Sequence, residues 1–231
     1  MATTDTARPP TSTGSMDSTS LRSDLSLHAL TRERIPATAA LLTAAMEVDP
    51  GYRFLFPDVA TRRAGLQDFF TRNLALHLPY RCTHVALDGE GRQVGTVTLR
   101  PPSGVPLSMM RLLARGLVPF ALGQGFGAVR RLLWVKNAYE ALEKDVAAGQ
   151  AHVFVHMMAV DPARQGRGLG SELLGNALAE ATESYGELRV VLTTHLPQNV
   201  VFYRRAGFEV WSERQMQPPG GATYTVWSMA K

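Results

Sequence analysis

VDPARQGRGLGSELL, residues 160–174, sets Gly166, Gly168 and Gly170 at alternate positions between an apolar run and a helical pattern. A strand that passes through such a turn into a helix leaves backbone N–H groups unpaired at the helix start, where the helix dipole also favours negative charge. Glycine permits positive φ and removes the Cβ atoms that would hold an anion off the backbone. The chemistry favoured here is phosphate binding by main-chain amides, the alternative being a tight turn with no ligand. Two familiar phosphate loops do not fit. A dinucleotide fingerprint reads G-x-G-x-x-G, and after Gly166 and Gly168 the third glycine comes one place early, at Gly170. A P-loop ends in Gly-Lys-Ser/Thr, and this stretch has no lysine. What remains is Gln165-x-x-Gly168-x-Gly170 behind an apolar segment ending AVDP (159–162).

The surrounding chain narrows the ligand. Its 231 residues are 45% hydrophobic, which is enough to bury one good core, and the length fits one domain. The net charge of +4 comes without a dense Lys/Arg run. No nucleic-acid partner is therefore expected, while a small anionic ligand suits the balance. Cys82 is the sole cysteine, so an internal disulfide and a cysteine-based zinc cage are excluded, and no metal site of recognisable spacing is present. The default compartment is the cytoplasm. Residues 1–24 are rich in Ser, Thr and Pro, lack the apolar segment of a secretory signal and carry acids unlike a transit peptide, so a disordered tail is expected there. No membrane partner is expected: the most apolar stretch, residues 112–135, is broken by Arg115, Pro119 and several glycines.

Periodicity orders the elements. LSLHALT (25–31) alternates like a half-buried strand. Ile35, Ala39, Leu42 and Met46 then recur at helical spacing, with Pro36 in the first turn and Pro50 past the end, and Leu66, Phe69, Phe70, Leu74 and Leu78 repeat the pattern. Two helices are thus expected to follow one strand. CTHVALD (82–88) and QVGTVTLR (93–100) flank GEGR and read as a β-hairpin. Residues 101–149 read as a helical insertion, its apolar content too high for a solvated linker, with GQGFG (123–127) as a helix break. AHVFVHMMAV (151–160) is a strand, followed by the glycine turn and a helix through Leu173, Leu174, Leu178 and Ala181. LRVVLTTH (188–195) is a strand, PQNVVFYRRAG (197–207) a short helix ended by Gly207, and FEVWSERQ (208–215) and TYTVWSMA (223–230) are strands joined by PPGG. The result is a mixed α/β chain of seven strands.

The Gln165-x-x-Gly168-x-Gly170 pattern resembles the acyl-CoA signature of the GNAT superfamily of N-acetyltransferases. NVVFYRRAGFEV (199–210) is similar to the second motif of that superfamily, in which an asparagine precedes Phe-Tyr and then Gly-Phe. Within the superfamily the likeness is closest to the puromycin N-acetyltransferase-like small-molecule enzymes, carried by QGRGLGS (165–171), PQNVVFYRRAGF (197–208) and PPGGATYTVWSM (218–229). It spans about residues 25–231. One departure is Thr193, where that group carries a glutamate, so the same acceptor is not implied. The resemblance implies a GNAT domain over 25–231 with a mostly antiparallel mixed sheet of about seven strands, splayed at strands four and five, flanked by helices and carrying its insertion before the central strand.

It also implies chemistry. Acetyl-CoA is the expected cosubstrate and a small-molecule amine, an antibiotic-like amine included, the expected acceptor. Backbone groups of Gln165, Gly166, Arg167, Gly168, Leu169 and Gly170, with Ser171 opening the helix, would hold the pyrophosphate. Met158, Ala159 and Val160 would offer main-chain groups to the pantetheine arm, and one N–H there would polarise the thioester carbonyl. Tyr203 would protonate the leaving thiolate. Asn199 would contact the cofactor, cap its helix, or both. His195, at the end of a strand bordering the cofactor slot, is the candidate base, with His156 as its competitor. Arg164 and Arg167 are secondary candidates for phosphate. Phe54, Leu55, Phe56, Phe69 and Phe70 are expected to wall a closed acceptor pocket. A protein or peptide N-acetyltransferase and a non-catalytic acyl-CoA sensor remain open, as does the choice between monomer and homodimer.

Overall fold

The apolar run 151–160 becomes the central strand of the protein. In the computed structural model, which describes residues 25–104 and 118–231, seven strands form one sheet in the order β1-β2-β3-β4-β5-β7-β6. They are β1 (Ser26–Ala29), β2 (Thr83–Leu87), β3 (Gln93–Arg100), β4 (His152–Val160), β5 (Arg189–Thr194), β6 (Glu209–Met216) and β7 (Tyr224–Ala230). Every neighbouring pair is antiparallel except β4 and β5, which run parallel. The tail expected at 1–24 and the start of the expected insertion, 105–117, lie outside the described residues.

Helices cover both faces of the sheet, and this is why β4 reads as an apolar run instead of an alternating one. On one face pack α1 (Ile35–Met46), α2 (Pro50–Leu55), α3 (Val59–His77) and α4 (Val118–Ala147), burying Leu42, Leu66, Phe70 and Leu74 against Val85, Met157 and Ala159. On the other lie α5 (Leu169–Tyr185) and α6 (Pro197–Arg205), where Leu173, Leu174 and Val200 meet Val97, Val155, Leu192 and Met229. Among the described residues no helix is long and apolar enough to cross a membrane.

Two expectations change. Three helices, not two, follow β1, because Pro50 starts α2 instead of merely ending α1. Asp49 caps α2 through its carboxylate, and proline is tolerated in a first helical turn, where its missing N–H would have had no partner. The expected apolar wall is largely core: Leu55, Phe56 and Phe70 are buried under the sheet, Phe69 packs half-buried against them, and Phe54, also buried, turns aside to stack edge-on against Trp134 at 5.3 Å. The break expected at GQGFG is present, since α4 consists of two helical segments meeting at Gly125 (φ 79°, ψ 162°).

The feature that positions the site is a bulge in β4. Thr98 of β3 opposes Met157 and Leu99 opposes Val155, leaving His156 without a partner. Pairing of β4 with β5 runs from His152 opposite Arg189 to Val155 opposite Leu192 and stops there. A bulge bends the strand that carries it and raises its local twist, so beyond His156 the two parallel strands part. This is the splay expected at strands four and five.

Candidate active site

The glycine turn sits where β4 leaves the sheet. Gly166 and Gly168 have φ of 79° and 82°, in the left-handed region that other L-residues occupy only under strain, and a Cβ at either would project into open space. Gly170 is small for another reason: a Cβ there would lie 3.2 Å from the Phe202 ring of α6. Among the described residues, no backbone N–H from 165 to 170 makes a well-formed hydrogen bond to the protein. Ser171, expected to open the helix and join this set, lies inside the first turn with its N–H donated to Gly168 O at 3.0 Å. Amides without a well-formed partner at the N-terminus of a seventeen-residue helix fit the diphosphate of a coenzyme.

The gap between β4 and β5 offers a second set of main-chain groups. Asp161 N–H donates to Val94 O of β3 at 2.9 Å. By alternation Asp161 and Ala159 turn their backbone groups to β3, whereas Met158 and Val160 turn theirs toward β5, where the partner strand has departed. Ala159 is thus removed from the three residues expected to meet a pantetheine arm. The carbonyl of Val160 already accepts from Gln165 Nε2 at 3.2 Å, which folds the glutamine side chain back onto the strand end.

Tyr203 packs on the α5–α6 side of the sheet. Its ring packs edge-on against Phe202 and Phe208, with centroids 4.9 and 5.6 Å away. Burial pushes the phenol up, so it holds its proton, and no described residue hydrogen-bonds its hydroxyl. A thiol bound among the same rings would be raised for the same reason, which preserves the proton transfer between the two.

His195 packs among residues of α2, α4 and β7. It follows β5 directly, and Nδ1 lies 2.6 Å from Asp49 Oδ2 while Nε2 lies 2.6 Å from Tyr139 Oη. Tyr139 Oη is in turn 3.1 Å from Tyr224 Oη. Gly51 makes room for this packing, since a Cβ there would come within 3.3 Å of both His195 Cε1 and Tyr139 Oη. Burial raises both phenols, Tyr139 strongly, with the neighbouring Tyr224 and Asp49 adding to it. Tyr203, partly buried, thus belongs to the α5–α6 side of the core, and the carboxylate-backed imidazole follows β5 beside α2 and α4.

The family model of the acetyltransferase (GNAT) domain matches residues 79–210, more than half of the chain. The chain belongs to the GNAT acetyltransferase family. Among solved structures this GNAT fold is similar to the C-terminal condensation domain of Ebony in complex with beta-alanyl-dopamine, with a TM-score of 0.68 at 13% identity over 90% of this chain and 99% of that one. It is also similar to the Drosophila melanogaster polyamine N-acetyltransferase that forms N-acetylagmatine (TM-score 0.59, 17% identity, 90% and 99% covered). A third likeness is to a histone acetyltransferase HPA2 and related acetyltransferase from Corynebacterium glutamicum (TM-score 0.58, 20% identity, 90% and 96% covered). At these identities the likeness is one of fold. The sequence has no match among curated proteins.

Several expected residues have other work in this GNAT domain. Asn199 is not a cap: Leu196 occupies the N-cap, and the Asn199 side chain donates to Thr194 Oγ1 at 3.1 Å. Arg164 is turned from the cradle by Asp88 Oδ2, 2.6 Å away at the β2–β3 hairpin, which ties the turn to the sheet. Arg167 remains exposed beside the amides. His156, the bulge residue, stacks near His77 at 5.4 Å, and burial together with the charge of Arg100 keeps it neutral well below the usual imidazole range. No metal-binding cluster is present among the described residues. Asp49, Tyr139 and Tyr224 were not anticipated. The Asp-Pro pair at 49–50 is a helix-start signal that would have exposed the cap, whereas nothing local marks either tyrosine.

Proposed function

We propose that this protein is an acetyl-CoA-dependent N-acetyltransferase acting on the amine of a small molecule, built as one domain over residues 25–231. The observation that carries this reading is the set of amides at 165–170 that lack a well-formed protein partner, at the end of a strand that has parted from β5. The amides of Gln165, Gly166, Arg167, Gly168, Leu169 and Gly170 hold the diphosphate, and the Arg167 side chain lies against it. Met158 and Val160 meet the pantetheine amides, and a β4 N–H draws charge from the thioester carbonyl. His195 removes the proton that makes the acceptor an ammonium, the amine attacks, and Tyr203 protonates the departing thiolate. Asn199 acts one step removed, holding the end of β5 through Thr194. Neighbours of the same fold that act on agmatine, spermidine and other polyamines support a small-amine acceptor, and the puromycin-like motifs add aminonucleosides to the candidates.

The test is an acceptor panel spanning polyamines, arylalkylamines and aminonucleosides, read by release of free thiol from acetyl-CoA. Turnover with at least one small amine is expected. Binding of acetyl-CoA without turnover on any of them would replace the enzyme with a sensor, and acetylation of peptides alone would replace the acceptor class.

A further inference from the structure

The groups behind His195 form one hydrogen-bonded chain, and its direction follows from chemistry. One oxygen of Asp49 is held by the N–H groups of Gly51 at 2.9 Å and Tyr52 at 3.3 Å, and the other faces His195 Nδ1. A carboxylate held this way accepts, so in the neutral ring Nδ1 carries the proton and Nε2 presents its lone pair. Tyr139 therefore donates to Nε2. Having spent its one proton there, it accepts from Tyr224. Tyr224 ends the chain, and its oxygen keeps a lone pair that no described residue uses. The ionisable groups facing this array are Asp49 and Tyr52 from α2, Tyr139 from α4 and Tyr224 from β7.

In this arrangement His195 has no free nitrogen with which to touch an acceptor. A base placed in the gap must act through the phenols or not at all. We propose that Tyr224 and Tyr139 relay the proton of the acceptor ammonium to His195, with Asp49 as the positioning residue that sets the tautomer. The proposal rests on the acetyl-transfer reading. In the step, an N–H bond of the ammonium breaks as the Tyr224 oxygen takes that proton. Tyr224 gives its own proton to Tyr139, and Tyr139 gives its own to Nε2. Each phenol receives one proton and loses one, the amine gains its lone pair, and one positive charge moves from nitrogen to imidazole, where Asp49 meets it. Burial of the phenols disfavours a free phenolate, so the transfers occur together.

The test uses the full chain, an amine found by the acceptor panel, and the variants Tyr139→Phe and Tyr224→Phe. Each is expected to lower kcat at pH 7 by about 100-fold, the range of general-base catalysis, while KM for acetyl-CoA stays within about twofold. The deficit is expected to shrink as pH rises, because the amine then arrives already neutral. A structural defect would not be rescued in this way. Nitrogen NMR of the imidazole supplies a readout that needs no turnover: Nδ1 is expected protonated and Nε2 unprotonated in the parent protein, with the Nε2 resonance displaced in Tyr139→Phe. A parent-like kcat in either variant, a loss that is constant with pH, or an Nε2-protonated tautomer would overturn the relay and leave acetyl transfer standing. A parent protein that turns over no amine while showing the expected tautomer would instead remove the acetyl-transfer reading, and the relay as catalysis with it.

Discussion

The turn at 165–170, after the end of β4, and the cluster around His195, after the end of β5, are built on opposite terms. The turn is continuous in sequence and works through main-chain amides, so its side chains matter mainly by being absent. The cluster draws Asp49, Tyr139, His195 and Tyr224 from four separate segments, its carboxylate and imidazole 146 positions apart, and works mainly through side-chain atoms. The first responds to anything that alters φ or adds a Cβ, and the second to the loss of one polar atom. An enzyme that must grip a constant cofactor and deprotonate a particular acceptor gains from this division, since the acceptor side can change residue by residue without disturbing the cofactor side.

Substitutions on the two sides should separate in kinetics. The largest effect is expected from His195→Ala, with kcat falling by about 10³-fold and acetyl-CoA binding kept, as measured by thiol release and calorimetry. Equal loss of cofactor affinity would merge the two sides. Tyr203→Phe is expected to cost about 10²-fold in kcat with Tm unchanged, because its hydroxyl holds no described partner. An unaltered kcat would remove the acid from Tyr203.

Gly168→Ala tests the other side. The strain of a side chain at φ 82° is about 1–2 kcal/mol. If it falls on the bound conformation, KM for acetyl-CoA rises about tenfold at constant kcat. A fall in kcat without a change in KM would contradict the cradle. The smallest effect belongs to Asp88, which clamps the turn through Arg164. Partial burial works to raise its carboxyl, but the Arg92 N–H and guanidinium, Arg164 and the Glu90 N–H outweigh that and hold it at about 2. Because the folded value lies below the unfolded one of about 4, this contribution is complete above about pH 4 and is lost as pH falls through about 2. Asp88→Asn should lower Tm at neutral pH by on the order of one or two degrees and remove that acid dependence, as followed by thermal melts from pH 7 to pH 2.

Much of the fold could be read from a single dimension. Seven strands, the hairpin at Gly91, the break at Gly125 and the amide cradle all follow from periodicities and backbone demands confined to a few neighbouring residues. The misreadings differ in origin. Pro50 reads as a helix stop until Asp49 is seen to cap Gly51 and Tyr52, and Asn199 lies three residues inside the helix that Leu196 caps, both local matters. Phe70 looks the same in a pocket wall as under a sheet until residues distant in sequence pack on it.

Local chemistry along the chain was sufficient for the strand–glycine–helix turn, because φ, spacing and helix dipole act over one or two turns, whereas Tyr203 stood out only by its place in the motif that resembles the second GNAT signature. Folding in three dimensions was needed for the bulge that parts β4 from β5, for the ion pair that takes Arg164 away from the cradle, and for the path from Tyr224 to Asp49. Those features exist only where segments far apart in sequence are brought within hydrogen-bond reach, and no periodicity records which of them will meet.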